Sequence, residues 1–107
     1  MLFEALIALS FATAPAFDNP RFEQHPCPDK ALEERARCGV VQVPEDRTRQ
    51  GGRSIALNIV VLPASPRPAR LPPLFDIDGG PGLPATKNAG FYASNGVSLG
   101  RDVVMID

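Results

Sequence analysis

The chain has 107 residues, which is short for a typical domain, and 11 Lys and Arg against 12 Asp and Glu give it a net charge of −1. That balance argues against a dedicated nucleic-acid binder, which normally carries a strongly basic domain. A single His excludes a multi-histidine metal site, and two Cys exclude a four-cysteine zinc site and a dense disulfide scaffold. The content of 44% hydrophobic and 21% charged residues is typical of a globular chain.

Residues 1–16, MLFEALIALSFATAPA, have the pattern of an export signal. The apolar run over residues 2–12 is shorter than the roughly 20 residues that span a bilayer, and Ala14-Pro15-Ala16 fits the A-x-A cleavage pattern. We therefore predict a cleaved signal peptide, a secreted or periplasmic location and no stable membrane anchor. Glu4 departs from the pattern, because the amino-terminal region of a signal peptide normally carries Lys or Arg. The alternative to a signal peptide is a mis-assigned start or an amphipathic tail.

Two cysteines, Cys27 and Cys38, flank a short helical stretch. Export would favour their pairing, because disulfides persist in oxidising compartments. Between them, residues 30–37 (KALEERAR) are good helix formers, and Asp29 is placed to cap that helix. We expect a short helix stapled to the strand that follows. The alternative is a pair of free thiols in a cytosolic protein.

Strand-forming residues follow in two blocks, 39–43 (GVVQV) and 54–62 (SIALNIVVL). The polar stretch 45–53 between them contains Gly51-Gly52, which predicts a turn and an antiparallel hairpin. Residues 63–73 hold five prolines and predict an extended, exposed connection.

Two apolar runs, 74–78 (LFDID) and 102–106 (DVVMI), predict a parallel pair of strands. The 23 residues at 79–101 are long enough for a crossover, and residues 84–95 within them predict a helix. The sequence therefore predicts the α/β class, with an N-terminal antiparallel hairpin leading into the first parallel strands. A hairpin and two parallel strands leave wide apolar faces and open edges, so we expect residues 17–107 to be the N-terminal part of a larger α/β domain, truncated after the strand that ends at Asp107.

Four blocks carry a family resemblance, namely Cys38-Gly39 through Val43-Pro44-Glu45-Asp46, Ile55-Ala56-Leu57, Asp78 to Gly82, and Arg101 to Asp107. Their order and spacing resemble the amino-terminal portion of secreted α/β-hydrolases, in the branch of the proline iminopeptidase and tripeptidyl-aminopeptidase-like serine peptidases. The resemblance implies an incomplete α/β-hydrolase fold. It also implies an exported aminopeptidase that releases N-terminal residues or short peptides by acyl transfer, from a peptide or a small ester or amide substrate, with no cofactor and no metal.

The loop Gly79-Gly80-Pro81-Gly82 corresponds, by that resemblance, to the His-Gly-Gly-Pro-Gly loop of the family. Its task is to aim a backbone N–H at the oxyanion of an acyl-transfer intermediate, and the resemblance makes Gly80 the donor. Asp78 stands where the family has His, and we expect its carboxylate to point away from the oxyanion. A plain tight turn is the alternative. Neither phosphate-binding glycine pattern is present.

Gly96-Val97-Ser98-Leu99-Gly100 matches G-x-S-x-G, but we reject Ser98 as a nucleophile. A nucleophile elbow needs a strand before the serine and a helix after it, and the acid and the His follow it along the chain. Here a polar loop precedes Ser98, a strand follows, and no His lies downstream. The chain therefore holds no catalytic residue, and we predict that it is inactive alone. Asp76 and Asp78, at i and i+2, suggest a metal site or carboxylate pair but have no third ligand in view.

Two further hypotheses remain open from the sequence. The chain could be a small exported binding module built on the stapled helix and the hairpin. It could also be a nonfunctional truncated gene product, which would be degraded or insoluble.

Overall fold

A computed structural model describes residues 20–107. The predicted signal peptide over residues 1–16 lies outside them. The described chain forms five strands, two short α-helices and one 3₁₀ helix. In chain order these are β1 (Phe22–His25), α1 (Lys30–Glu33), β2 (Arg37–Pro44), β3 (Ser54–Leu62), β4 (Leu74–Asp76), the 3₁₀ helix Ala85–Asn88, α2 (Ala89–Ser94) and β5 (Val103–Ile106).

The five strands form one mixed sheet in the order β1-β2-β3-β5-β4. β1, β2, β3 and β5 pair with one another in antiparallel fashion, and only β4 and β5 are parallel. The last strand of the chain therefore lies inside the sheet, while β1 and β4 form its edges. This topology places the carboxyl ends of β4 and β5 side by side.

The predicted α/β class, and with it the incomplete α/β-hydrolase fold, is wrong for these residues. An α/β protein alternates strands with helices along a mainly parallel sheet, whereas here three of the four strand pairings are antiparallel. The physical reason lies in the connections. β2 and β3 are joined by a hairpin and β3 and β4 by a proline-rich extended segment, so only residues 77–102 cross over, and they hold just the 3₁₀ helix and the six residues of α2.

Several predictions about individual strands and helices are confirmed, although the predicted fold class is wrong. β3 has the predicted bounds, the hairpin is antiparallel as expected, and the two later strands pair in parallel. Asp29 caps α1 through a hydrogen bond from the Ala31 N–H at 2.9 Å, but α1 ends at Glu33, because β2 already begins at Arg37. β1, which the sequence did not suggest, adds an edge strand to β2.

One face of the sheet carries the core. Val60, Leu62, Val103 and Met105 share this face in the strand register, and their side chains are buried. Ala85 of the 3₁₀ helix and Ala89 of α2 belong to the same buried cluster. Small alanines let these helices approach the sheet closely, so the crossover segment is the cover of this face, which we call the covered face.

The disulfide extends the core towards the edge of the sheet. Cys27 follows β1, Cys38 lies in β2, and the structure joins them in the expected bond. Both residues are buried, and Ala36 and the half-buried Leu32 of α1 lie in or against the same cluster. The bond therefore ties α1 and the short edge strand β1 to the rest of the sheet.

Candidate functional site

The glycine loop (residues 79–82) begins three residues after the end of β4, at the edge where parallel strands deliver polar side chains. All four of its residues are exposed. Gly80 and Gly82 have φ angles of 70° and 89°, a conformation that costs a residue with a Cβ about 1–3 kcal/mol. Two of the three glycines are thus required by the backbone path itself.

The space around the loop is open. A Cβ added to Gly79 or Gly82 would have no neighbour within 4 Å, and one on Gly80 would meet only Leu83 at 3.9 Å. Packing therefore does not explain Gly79, whose φ is not positive. Among the described residues, the N–H of Gly80 has no hydrogen-bond acceptor, so it remains available to a ligand.

Asp78 turns its carboxylate onto the start of this loop. Its Oδ1 accepts the N–H of Gly79 at 2.9 Å, and its Oδ2 accepts Nδ2 of Asn88 at 3.1 Å. The same Asn88 nitrogen donates to Oδ2 of Asp76 at 3.0 Å. We call Asn88 with these two carboxylates the Asn88 clamp. It joins the end of β4 to the 3₁₀ helix, and it directs the Asp78 charge to Gly79 rather than Gly80.

Tyr92 of α2 adds an aromatic hydroxyl to the clamp. Burial of this side chain raises the pKa of Tyr92, and a hydrogen bond to Asp76 and the negative charges of Asp76 and Asp78 raise it further. Each cause disfavours the charged phenolate. Tyr92 is therefore neutral at physiological pH, and its hydroxyl lies close to the carboxylates of the clamp.

Asp107 connects the neighbouring strand end to the same 3₁₀ helix. Its carboxylate accepts the backbone N–H of Thr86 at 2.9 Å and the Thr86 hydroxyl at 2.8 Å. A carboxylate at the N-terminal turn of a helix satisfies N–H groups that have no partner within the helix. The ends of β4 and β5 are thus both fastened to the crossover segment, through Asn88 and Thr86.

A second polar network holds the proline-rich connection in place. Oδ1 of Asp102 accepts the backbone N–H of Ala64 at 2.7 Å and the guanidinium of Arg67 at 3.0 Å. The hydrogen bond from Ala64 is the larger cause, and together with the hydrogen bond from Arg67 it holds the pKa of Asp102 below its usual range. The network joins the start of β5 to the end of β3 and is structural, since it lies at the opposite end of β5 from the glycine loop.

Ser98 lies in the turn that precedes β5, and only 6% of its surface is exposed. Its carbonyl oxygen accepts the N–H of Ser65 at 3.0 Å. The chain's one histidine, His25, is at the end of β1, on the opposite edge of the sheet from β4. The structure therefore does not bring Ser98 and His25 together, and it gives Ser98 neither the preceding strand nor the following helix of an elbow.

The predicted and the observed site residues overlap in part. Sequence reasoning identified the glycine loop and noted Asp76 and Asp78 as a possible carboxylate pair, but it missed Asn88, Thr86 and Tyr92. Only the position of these three residues in the sequence could have indicated their role, because polar residues in the first turns of a crossover segment lie beside the ends of the strands. Within residues 20–107, no group of three or more His, Cys, Asp or Glu side chains is arranged to hold a metal ion.

Comparisons with known proteins leave the chain without a family assignment. It matches no protein-family model and no curated protein sequence. Among the described residues, no helix has the length and apolar character needed to cross a membrane.

Proposed function

We propose that the chain supplies the oxyanion-hole loop of an exported serine hydrolase, an aminopeptidase that releases N-terminal residues or short peptides by acyl transfer. The observation that carries the proposal is the exposed glycine loop at the end of β4, where the N–H of Gly80 faces no acceptor within the described chain. Such a donor, held in place before the substrate arrives, stabilises the negative charge that develops on a carbonyl oxygen.

The surroundings of the loop support this role. An oxyanion donor must be rigid, and the Asn88 clamp fixes the residues on the β4 side of the loop. Asp78 would oppose an oxyanion if its carboxylate faced one, but its hydrogen bond to Gly79 keeps that charge on the neighbouring N–H. The open space above Gly79 and Gly82 leaves room for a substrate.

The loop is one part of such an enzyme, and the nucleophile, the acid and the base would come from residues outside this chain. We therefore expect the chain alone to give no turnover of aminoacyl or ester chromogenic substrates. Turnover that is lost on Ser98→Ala would contradict this proposal directly.

A chimera tests the loop itself. Residues 74–107 replace the corresponding segment of a proline iminopeptidase, and kcat is measured on an aminoacyl anilide after folding is checked by circular dichroism. Removing the donor with Gly80→Pro should lower kcat by about 10²–10³-fold. Gly82→Pro is the matched control, since it meets the same positive φ and removes a different N–H. A folded chimera in which Gly80→Pro keeps full activity would exclude Gly80 as the donor, and a smaller loss with Gly82→Pro separates the missing N–H from the distortion of the loop.

The alternative of a small exported binding module draws on a different observation, the Cys27–Cys38 disulfide. A disulfide fits a protein that folds in an oxidising compartment, and it would support a small domain that must be stable alone. This alternative predicts a cooperative thermal unfolding transition for residues 17–107. A flat melt with dye-binding apolar surface would count against it.

A further inference from the structure

The peptide bond that opens the glycine loop joins Asp78 to Gly79, which is the only Asp-Gly pair in the sequence. Both residues are exposed. A Cβ added to Gly79 would have no neighbour within 4 Å, so the space beside this bond is open. Gly79 also has no side chain of its own to shield its amide nitrogen. The nitrogen is therefore accessible to the carboxyl group that precedes it.

A hydrogen bond within this pair holds the two groups together. The Gly79 N–H donates to Oδ1 of Asp78 at 2.9 Å, which places the amide nitrogen next to Cγ, the carbon bonded to that oxygen. The other carboxylate oxygen, Oδ2, accepts Nδ2 of Asn88 at 3.1 Å. The carboxyl group is thus oriented towards the nitrogen in advance, and such an arrangement speeds ring closure within a molecule.

The only Asn-Gly pair in the sequence, Asn95-Gly96, has a different geometry. It is exposed as well, so exposure does not separate the two pairs. An Asn-Gly pair normally closes the same five-membered ring more readily, because an amide loses ammonia more easily than a carboxylate loses water. Asn95, however, has a ψ of 1°, which turns the Gly96 nitrogen away from Cβ, and its Oδ1 accepts the N–H of Val97 at 3.0 Å. The fold therefore protects Asn95 but holds Asp78 in position to react.

We propose that Asp78-Gly79 is a site of spontaneous isoaspartate formation. The electron pair of the Gly79 nitrogen forms a bond to Cγ of Asp78, and the bond from Cγ to one carboxyl oxygen breaks. That oxygen leaves as water, with the amide proton and one proton from solvent, and the product is a cyclic succinimide. Water then opens the ring at either carbonyl carbon. Opening at Cγ restores aspartate, whereas opening at the main-chain carbonyl gives isoaspartate, in which the chain continues through Cγ.

This modification changes the glycine loop directly. Isoaspartate adds one methylene carbon to the main chain between β4 and Gly80, and its free carboxylate is no longer the one on Cγ. The hydrogen bonds that this group makes to Gly79 and Asn88 are then lost. The reaction itself does not rest on the proposed function, but one consequence does: Gly80, the proposed oxyanion donor, is displaced from the end of β4, so the loop loses its activity as the protein ages.

Incubation of the purified chain at 37 °C and neutral pH tests the proposal. The tryptic peptides 71–87 and 88–101 separate the two pairs, and electron-transfer dissociation distinguishes isoaspartate from aspartate at each position. Rates are compared between the folded chain and the same chain reduced and unfolded in guanidinium chloride. Asp78 should form isoaspartate at least as fast in the folded chain, whereas Asn95 should react about tenfold more slowly there than in the unfolded chain.

Gly79→Ala is the variant that tests the nitrogen. Its Cβ crowds the atom that must reach Cγ and should lower the rate of isoaspartate formation about tenfold. The variant should keep its fold by circular dichroism, because this Cβ meets no neighbour within 4 Å and the φ of Gly79 is not positive. Gly90→Ala is the matched control, since Gly90 shares both properties and lies in α2; it should leave the rate at Asp78 unchanged.

Three results would overturn the proposal. The first is slower isoaspartate formation at Asp78 in the folded chain than in the unfolded chain. The second is a reaction at Asn95 that is as fast in the folded chain as in the unfolded one, because the geometric argument would then fail. The third is the same rate at Asp78 in the wild-type chain and in Gly79→Ala. None of these measurements involves hydrolase activity, so the proposal and the proposed function can fail separately.

Discussion

Replacing Asn88 with aspartate tests the clamp that holds the end of β4. The change keeps the size of the side chain but removes the donor that bridges Asp76 and Asp78, at 3.0 and 3.1 Å. It also adds a third negative charge about 3 Å from two carboxylates. We expect Asn88→Asp to destabilise the fold, by loss of the two hydrogen bonds and by repulsion.

The magnitude follows from the geometry and the exposure. Asp78 is exposed and Asp76 half-buried, so the two lost hydrogen bonds contribute about 1 kcal/mol together. Like charges at 3–5 Å in a largely aqueous environment repel by about 1 kcal/mol for each pair. The sum of roughly 2–3 kcal/mol corresponds to a fall in Tm of about 10–20 °C for a domain of this size.

Two comparisons separate these contributions. Asn88→Ala removes the donor without adding a charge, so its difference from Asn88→Asp measures the repulsion, which should largely vanish in 1 M NaCl because the Debye length there is about 3 Å. Asn95→Asp is the matched control, since Asn95 accepts the N–H of Val97 and an aspartate can do the same. Thermal melts by circular dichroism give the values. Equal stability of the two Asn88 variants at low salt would refute the clamp.

Three further predictions concern other parts of the fold. Gly39→Ala should lower Tm by about 5–15 °C, because its Cβ would lie 2.5 Å from the ring of Phe22, whereas Gly52→Ala, with its nearest contact at 3.8 Å, should change Tm little. The lowered pKa of Asp102 means that its carboxylate stabilises the fold at pH values above the ordinary carboxyl pKa, and that this stabilisation is lost as the pH falls through the lowered pKa. Asp102→Asn should therefore make the free energy of unfolding depend less on pH in the acid range. The chain has one tyrosine, so absorbance near 295 nm should show Tyr92 ionising above pH 10, and Asp76→Asn should lower that midpoint.

The local elements could be read from the sequence because each depends on neighbouring residues. Alternation in residues 54–62 defines β3, the Gly51-Gly52 pair defines the turn, and Asp29 caps the following helix. The strand β1 gave no such indication, since FEQH has a single apolar residue and is a strand only through its pairing with β2.

The fold class failed for a related reason. The sequence indicated a parallel pair, but not that β5 would also pair with β3 in the opposite direction. That pairing joins residues more than 40 positions apart, and no local pattern encodes it. The clamp was missed in the same way: Asp76 and Asp78 are visible as a pair, but Asn88 reaches them only because the crossover folds back on the strand ends.

The position of β5 has a consequence for how the chain acquires its structure. Synthesis proceeds from the amino terminus, so β3 and β4 both leave the ribosome before the strand that lies between them exists. Until Val103–Ile106 arrives, β4 has no neighbour and the inner edge of β3 is exposed. Folding of the centre of the sheet must therefore await residues 103–106. Among the described residues, the β2–β3 hairpin, with β1 joined to it through the Cys27–Cys38 disulfide, is the only substantial unit that can form earlier.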